Sequence, residues 1–354
     1  MSLSLKGTDL KSVPDTAEDK GTDLKSVPDA SLDWRPSAPL ENLRGRAVLL
    51  ARIRGFFAVR GVLEVETPTL AGAAVTDPHL SSLQSRYTGP GFSAGRPLYL
   101  QTSPEFAMKR LLAAGSGPIY QLGKAYRDGE AGRLHNPEFT LLEWYRPGFD
   151  LSAMMDEVEA LATQALGLTG RFERVSYREL FRRRLGIDPF EVSEDGLRDC
   201  ARRHGLSRSA ELPLAGQDAW LDLLLTHFIE PGLGAGTPCF VHDYPPGQAA
   251  LARIRPGPCP VAERFELYID GVEIANGYHE LGDPAEQRVR FTRDRERRRR
   301  EGLPDVTPDE RLLAALAHGL PDCAGVALGV DRLVMAALGV KSIAEVVAFP
   351  LERA

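Results

Sequence analysis

Two arginines stand at positions from which an arginine could hold phosphate oxygens. Arg332 falls in the first turn of a helix predicted over 331–338. The helix macrodipole disfavours a cation there by about 0.3–1 kcal/mol, so this residue makes most sense if an anion lies in front of the helix. Arg127 ends a predicted strand before a polar loop, where a side chain is exposed but rigidly aimed. Each arginine alone is also compatible with a salt bridge or a solvated side chain.

Two glutamates could form a metal site. Glu273 lies inside a predicted strand, where carboxylates are normally avoided, and Glu280 follows seven residues later. Carboxylate oxygens suit Mg²⁺, which keeps phosphates in its coordination shell. An unbroken strand would point residues at this spacing to opposite faces, but Gly277 permits a β-bulge that would bring the carboxylates together. Two solvent-facing acids on an edge strand are the alternative.

A third glutamate stands on an otherwise apolar strand face. Phe139, Leu141, Glu143 and Tyr145 alternate along a strand predicted over 138–145, so they share one face. A carboxylate in such surroundings is either paired inside the protein or recognises a cationic ligand.

Composition excludes several classes of protein. The chain has 354 residues, 43% of them hydrophobic, and a formal net charge of −6, which argues against a surface that grips nucleic acid throughout. No apolar run approaches the roughly 20 residues of a membrane span, and no signal-peptide pattern opens the chain. The four cysteines form no CxxC pair, so neither a zinc site nor a disulfide framework is indicated. We expect a cytoplasmic protein.

The N-terminal segment contains a repeat. The ten residues KGTDLKSVPD occupy 6–15 and again 20–29. Two polar, proline-containing units cannot stack as a solenoid, so the sequence predicts a disordered tail over 1–30. A peptide docking motif is the alternative.

Beyond Leu40 the hydrophobic pattern predicts strands and helices without a regular βαβ alternation, which favours an α+β fold with an antiparallel sheet. A hairpin around Asp270-Gly271 has the strongest turn signature. The predicted strands cover 62–67, 99–102, 119–127, 138–145, 240–243, 264–269, 272–276 and 325–328. The main predicted helices cover 104–113, 219–229, 284–300, 312–318 and 331–338, with a further apolar stripe after Asp150.

The helix predicted over 284–300 carries an arginine cluster, from Arg288 to Arg300, with interspersed acids. A solvated helix with i,i+4 ion pairs explains it without a ligand. A nucleic-acid surface, or a surface that steers a protein partner, is the alternative.

Five segments together resemble a known family. GVLEVETP (61–68), AYRDGEAGRLHNPEFTLLEWY (125–145) and GVALGVDR (325–332) resemble motifs 1, 2 and 3 of class II aminoacyl-tRNA synthetases. TSPEFAMKRLL (102–112) and GVEIANGYHEL (271–281) are similar to the lysyl-tRNA synthetase subgroup. The resemblance implies that 39–354 form the catalytic domain of that fold, an antiparallel sheet flanked by helices.

Lysyl-tRNA synthetases carry an anticodon-binding domain ahead of motif 1, whereas only a short tail precedes it here. The chain is therefore most similar to the truncated relatives that ligate (R)-β-lysine to elongation factor P. Ala327 supports this, since lysyl-tRNA synthetases have glycine there. An extra methyl group would reshape the amino-acid pocket.

The resemblance also implies residue roles. Arg127 and Arg332 would be catalytic, holding the α- and γ-phosphates of ATP. The nucleotide would also be bordered by Asp128, Gly129, Asn136, Glu273, Ile274 and Gly329. The amino-acid pocket would be lined by Ser103, Pro104, Glu105, Tyr145 and Glu280, with Glu143 as an additional candidate. Mg²⁺ would be held by Glu273 and Glu280.

One position departs from the family pattern. Motif 2 usually has Arg-x-Glu, but Gly129 holds the glutamate position here and Glu130 follows. Either Glu130 takes the role through a shifted loop, or the adenine contact comes from backbone.

The implied reaction has two steps, formation of an aminoacyl-adenylate and transfer to the ε-amine of a lysine on elongation factor P. The sequence does not identify a base for that amine. The alternatives are an enzyme that charges α-lysine to tRNA and a non-catalytic homologue that binds lysine. Because motif 1 builds the dimer interface of this fold, we expect a homodimer, with no membrane association and no tRNA acceptor.

Overall fold

The computed structural model describes residues 34–206, 214 and 216–354, so the tail predicted over 1–30 lies outside the described residues. The strands are β1 (Leu63–Glu64), β2 (Leu70–Ala71), β3 (Gln84–Tyr87), β4 (Arg96–Leu100), β5 (Ile119–Tyr126), β6 (Glu138–Pro147), β7 (Glu173–Ser176), β8 (Cys239–Tyr244), β9 (Ile254–Arg255), β10 (Val261–Ile269), β11 (Val272–His279) and β12 (Cys323–Gly329). The helices are α1 (Leu40–Ala58), α2 (Glu105–Ala113), α3 (Leu151–Leu166), α4 (Tyr177–Leu185), α5 (Glu194–Arg203), α6 (Gln217–Leu224), α7 (Pro284–Arg300), α8 (Glu310–Gly319) and α9 (Val330–Leu338).

The large sheet has the strand order β1-β5-β6-β12-β11-β10-β8-β7, and β9 pairs with β10. Only the outer pairs β1–β5 and β7–β8 are parallel. All its other strand pairs are antiparallel. A separate small sheet has the order β2-β4-β3. The α+β prediction with an antiparallel sheet is confirmed.

The hairpin β10–β11 turns at the predicted Asp270-Gly271 pair. Their φ angles of 47° and 75° lie in the left-handed region that a two-residue type I′ turn requires. Asp270 donates its backbone N–H to Gly234 O and Gly271 donates to Leu233 O, so the turn is also tied to the preceding segment.

The sheet separates two apolar cores. On one face the core includes Phe57 of α1, Trp144 of β6, Met154 of α3 and Leu333 of α9. On the other face a second core joins α4, α5 and α6 to strand residues such as Phe139 and Tyr278. Side chains of β6, β11 and β12 that point to this second face can therefore meet over the middle of the sheet.

The motif 1 strand is shorter than predicted. Pairing in β1 is limited to Leu63 and Glu64, although 62–67 was predicted to be extended. The reason is that Thr67 donates its backbone N–H to the side-chain Oε1 of Gln121, at 2.9 Å, instead of to a strand backbone. Because the acceptor is a side chain on a neighbouring strand, the sequence of 62–67 does not indicate where the strand ends.

The arginines of α7 are largely engaged within the protein. Arg298 is buried and donates to the carbonyl oxygens of Pro304 and Asp77, at 2.8 and 3.0 Å. Ion pairs join Arg288 to Glu310, Arg290 to Glu286, Arg295 to Asp305 and Arg297 to Glu301. This pairing favours the interpretation of a solvated, ion-paired helix. Within 34–206 and 216–354, no helix has both the length and the apolar character needed to cross a bilayer.

Candidate active site

Arg127 is buried, with 2% of its surface exposed, so the exposed side chain predicted for this strand end is wrong. The ring of Phe139 on the neighbouring strand lies 4.9 Å from its guanidinium, and Glu130 approaches to 3.5 Å. Burial lowers the pKa of Arg127, and the charge of Arg332 acts in the same direction. Its Nε lies buried with no hydrogen-bond partner. A buried guanidinium with an unsatisfied N–H is suited to receive an anion.

Arg332 lies in the first turn of α9, as predicted, and reaches across to two other elements. It donates to the backbone oxygen of Glu273, at 2.8 Å, and to Nε2 of His135, at 2.6 Å. Because arginine only donates, His135 accepts at Nε2 and its ring is neutral. Burial, followed by the charges of Arg332 and Arg127, lowers the pKa of His135 to about 4. Two guanidinium groups and a histidine therefore form one electropositive cluster.

Gly329 leaves space beside this cluster. Its φ of −73° is ordinary for any residue. A Cβ there would be 3.7 Å from Cδ of Arg332 and 3.8 Å from the backbone oxygen of Ile274, both normal contact distances. The protein's own packing does not require glycine at this position, so the space suits a ligand. The unsatisfied Arg127 N–H, the cluster and this space together fit the phosphates and sugar of ATP.

The motif 2 loop explains the departure at Gly129. Its φ of 79° is in the left-handed region, where the usual glutamate would be strained. Glu130 is buried beside Arg127. Asp128 is exposed and donates its backbone N–H to Ser81 O at 2.8 Å. The structure thus places Glu130, and not Asp128, against Arg127.

Two other nucleotide candidates have structural contacts. Asn136 donates to the backbone oxygen of Glu138, at 2.6 Å, and accepts from the backbone N–H of Leu351, at 2.9 Å. Ile274 packs its side chain into the core on the face of α3. Only the backbone of Ile274 lies near Gly329.

A second cluster consists of buried acids around one lysine. Glu105, Glu143 and Glu280 are each at most 1% exposed, as is Lys109. Lys109 Nζ lies 2.6 Å from Oε1 of Glu105, one helix turn away on α2, and 2.6 Å from Oε2 of Glu280 beyond β11. Lys109 was not among the predicted site residues, although it lies within the TSPEFAMKRLL segment.

Glu143 is held by two hydroxyl groups. Ser103 and Tyr145 each donate to it at 2.6 Å, one to each carboxylate oxygen. The Ser103 oxygen also accepts the backbone N–H of Glu105, at 3.0 Å, where α2 begins directly after its N-cap residue Pro104. Burial, and then the charge of Glu105, raises the pKa of Glu143 to about 7. The predicted amino-acid residues are thus brought together, with Glu143 at their centre.

Charge in this cluster depends on Lys109. Burial opposes ionisation of Glu105, but nearby positive charge, with Lys109 the largest favourable contribution, lowers the pKa of Glu105 to about 2. Burial opposes the charged form of Lys109 as well, yet Glu105 and Glu280 together raise its pKa. Burial raises the pKa of Glu280 to about 7 although Lys109 acts against it. Such surroundings favour a ligand that brings positive charge.

Motif 3 borders the acids. Gly325 pairs with Tyr145 in the β12–β6 register, and Ala327 pairs with Glu143. A Cβ on Gly325 would lie 2.5 Å from Oε1 of Glu280 and closer still to the Tyr145 ring. Ala327, with its methyl group opposite Glu143, lies where the sequence comparison places a pocket-shaping residue.

Glu273 and Glu280 share a face, but the bulge that allows this is not at Gly277. The register shifts between Leu267↔Ala275 and Tyr268↔Glu273, so Ile274 is the extra residue. Pairing is regular at Gly277, where a Cβ would collide with the Phe265 ring. The predicted position of the bulge is wrong because close ring packing, not bulging, requires that glycine.

The two carboxylates have different neighbours. Oε2 of Glu273 lies 3.8 Å from Arg332, at the electropositive cluster, whereas Glu280 lies against Lys109. Among the described residues no three His, Cys, Asp or Glu side chains form a metal-binding group. Magnesium needs few protein ligands when phosphates and waters complete its octahedral coordination shell. The carboxylate of Glu273, beside the electropositive cluster, is a suitable ligand of this kind.

A buried polar network supports this hairpin and was not predicted. Glu266 of β10 is fully buried and accepts from Tyr244 OH at 2.8 Å, from Asn276 Nδ2 at 3.3 Å and from Arg264. Arg264 also donates to Asn276 Oδ1, at 3.3 Å. Satisfied buried networks of this kind fix relative strand positions, here those that carry Glu273.

Comparison with known proteins places this arrangement in a family. The sequence profile of the class II tRNA synthetases (D, K and N) matches residues 26–353. The elongation factor P–(R)-β-lysine ligase of Yersinia enterocolitica is 54% identical over 321 residues, covering 91% of this chain and 98% of the relative. Those of Vibrio cholerae and Proteus mirabilis are 54% and 52% identical, covering 91% of this chain and 99% and 98% of their own lengths. The chain therefore belongs to the class II tRNA synthetase family for D, K and N, within the group of the elongation factor P–(R)-β-lysine ligases.

Proposed function

We propose that this protein activates (R)-β-lysine with ATP and transfers it to the ε-amine of a lysine on elongation factor P. The observation that carries the proposal is the placement of two complementary clusters on one sheet. The cluster around Arg127, His135 and Arg332 suits phosphates, and the buried acids around Glu280 suit ammonium groups. The names of relatives that match nearly full length support the same activity.

In the first step a carboxylate oxygen of the amino acid attacks the α-phosphorus of ATP. The bond from phosphorus to the β-phosphate oxygen breaks, which gives the aminoacyl-adenylate and pyrophosphate. Arg127, already buried and aimed from the end of β5, would balance charge on the α-phosphate, and Arg332 would hold the γ-phosphate. Both contributions are positioning and charge stabilisation rather than covalent chemistry.

In the second step the acceptor amine attacks the activated carbonyl carbon. An amide C–N bond forms, the C–O bond to AMP breaks, and the amine loses a proton. The buried acids would hold the ammonium groups of the activated amino acid meanwhile, so that its carbonyl remains in a fixed place relative to the acceptor.

Magnesium would neutralise phosphate charge during the first step. We propose that Glu273 holds it, as the sequence predicts. Glu280 is the other predicted Mg²⁺ ligand. Its main role would be to bind ammonium groups rather than Mg²⁺, because the Lys109 ammonium already lies against it.

The direct test is ATP–pyrophosphate exchange followed by transfer. We expect exchange to depend on (R)-β-lysine, and label from the amino acid to appear on elongation factor P and not on tRNA. Label on tRNA would instead indicate a lysyl-tRNA synthetase-like enzyme. Absence of exchange with either lysine isomer would indicate a lysine-binding homologue without activity.

We further propose a homodimer through the motif 1 region. Val48, Val59 and Leu63 are large apolar residues with 52%, 80% and 55% of their surfaces exposed. Apolar side chains clustered on one region of a surface favour association. A monomeric mass by light scattering at working concentration would overturn this. Because an elongation factor takes part in translation, the proposed activity belongs to the cytoplasm.

A further inference from the structure

Lys109 is a buried charged side chain beside the amino-acid pocket, and it has no role among those that the sequence predicts. It is 1% exposed and reaches from α2 to a carboxylate on its own helix and to another beyond β11. A buried ammonium costs several kcal/mol to desolvate, so its retention points to a purpose beyond filling space.

The contacts of Lys109 join two separate parts of the pocket. Glu105 begins α2, directly after the Ser103-Pro104 turn, whereas Glu280 follows the last residue of β11. Both lie 2.6 Å from the same Nζ atom. One nitrogen therefore sets the distance between a carboxylate on the helix and a carboxylate on the sheet.

Glu143 completes the acidic side of the pocket, and Ser103 and Tyr145 each donate a hydroxyl to it. The amino acid of the proposed reaction carries two ammonium groups. Carboxylates held in fixed places can receive such groups through short, charge-assisted hydrogen bonds.

We propose that Lys109 is a positioning residue of the amino-acid pocket, whose ammonium fixes Glu105 and Glu280 in the arrangement that receives the ammonium groups of the substrate. The inference rests on the proposed function, because it concerns the amino acid of that reaction. Lys109 acts through the two carboxylates and does not touch the reacting atoms.

The test is the substitution Lys109→Met, which keeps roughly the length of the side chain and removes its charge. We expect the KM for (R)-β-lysine in ATP–pyrophosphate exchange to rise at least about tenfold, while the KM for ATP changes less than about threefold. Preference for (R)-β-lysine over an analogue lacking the terminal ammonium should also fall. Lys124→Met is the matched control, since Lys124 is 43% exposed and pairs with Glu138 on the surface.

A merely structural lysine would give a different result. In that case Lys109→Met would lower the melting temperature and leave the KM for (R)-β-lysine and the analogue preference unchanged, which overturns the inference. Lys109→Gln, which keeps a polar side chain, provides the same measurement if the methionine variant does not fold. Wild-type enzyme without any (R)-β-lysine-dependent exchange would refute the proposed function itself, whereas active wild type with an unaffected Lys109 variant refutes only this inference.

Discussion

The guanidinium of Arg46 lies 2.6 Å from the carboxylate of Asp331, the residue that precedes Arg332 in α9. Asp331 also accepts the backbone N–H of Thr140 at 2.8 Å, and Arg46 donates to the Thr140 hydroxyl at 2.7 Å. These contacts join α1, β6 and the first turn of α9. These contacts therefore tie the first turn of α9, which carries Arg332, to a helix that lies just before motif 1.

The substitution Arg46→Met should lower both the stability of the protein and its kcat/KM for ATP. Removal of one partner from a buried pair costs about 3–5 kcal/mol, and we expect the lower end because Arg46 retains some exposure. A displaced Arg332 should lower kcat/KM for ATP by about ten- to a hundredfold. Urea unfolding and pyrophosphate exchange measure the two effects.

Arg54→Met is the control for this prediction, because Arg54 is on the same helix and its pair with Glu64 is 49% and 40% exposed. Its loss should cost less than about 1 kcal/mol. Equal effects of the two substitutions would contradict a special role for the Arg46–Asp331 contact.

Much of this fold was predictable because its strands and helices follow local rules. The Asp270-Gly271 pair specified the hairpin, and α7 was predicted with the bounds observed. Asp150 caps α3 by accepting from the backbone N–H of Ala153, as its place before an apolar stripe indicates. Local turn and capping chemistry is encoded within a few residues, so it can be recognised without knowledge of the fold.

The unpredicted features depend on distant residues. Burial of Arg127 comes from Phe139 on another strand, and the bulge at Ile274 appears only in the pairing of β11 with β10. Lys109 joins the carboxylates of Glu105 and Glu280, which are separated by about half of the chain. Sequence motifs named most of the side chains in the two clusters, but tertiary contacts decide which charges neutralise one another.

His135 should make the stability of the protein sensitive to acid. Its pKa is lowered from 6.5 to about 4 by burial and by the neighbouring arginines, so between those values the unfolded chain binds more protons than the native state. Stability present at pH 7 is therefore lost as the pH falls from 6.5 towards 4. Between pH 7 and pH 5 the loss attributable to this histidine is about 2 kcal/mol.

Urea unfolding of His135→Gln at both pH values checks this, since the variant should lose less stability on acidification than the wild type. His318→Gln serves as control because His318 is exposed. An identical acid dependence in wild type and His135→Gln would show that the histidine is not held neutral.

Replacement of Glu273 and replacement of Glu280 by glutamine should change different kinetic parameters. We expect Glu273→Gln to raise the Mg²⁺ concentration needed for half-maximal exchange by more than about tenfold, since loss of even an outer partner of a metal costs that much. Glu280→Gln should instead raise the KM for the amino acid, because Glu280 lies beside Lys109. A matching rise in Mg²⁺ demand for both variants would favour the paired metal site.

Gly325→Ala should damage the amino-acid pocket selectively. The new methyl carbon would lie 2.5 Å from Oε1 of Glu280 and closer still to the Tyr145 ring, so at least one of these buried side chains must shift. Overpacking of this kind costs about 1–3 kcal/mol in stability. Tyr145 and Glu280 both belong to the cluster of buried acids and not to the electropositive cluster. The KM for (R)-β-lysine should therefore rise more than about tenfold, while the KM for ATP changes little.

Gly55→Ala is the matched control for Gly325→Ala, since no atom lies within 4 Å of a Cβ at that position in α1. Alanine there should be neutral or stabilise the helix by up to about 1 kcal/mol. Thermal unfolding and exchange kinetics at varied amino-acid concentration distinguish the two sites. If Gly325→Ala kept the wild-type KM for the amino acid, Tyr145 and Glu280 could not be the side chains that receive it, because the added methyl group must displace at least one of them.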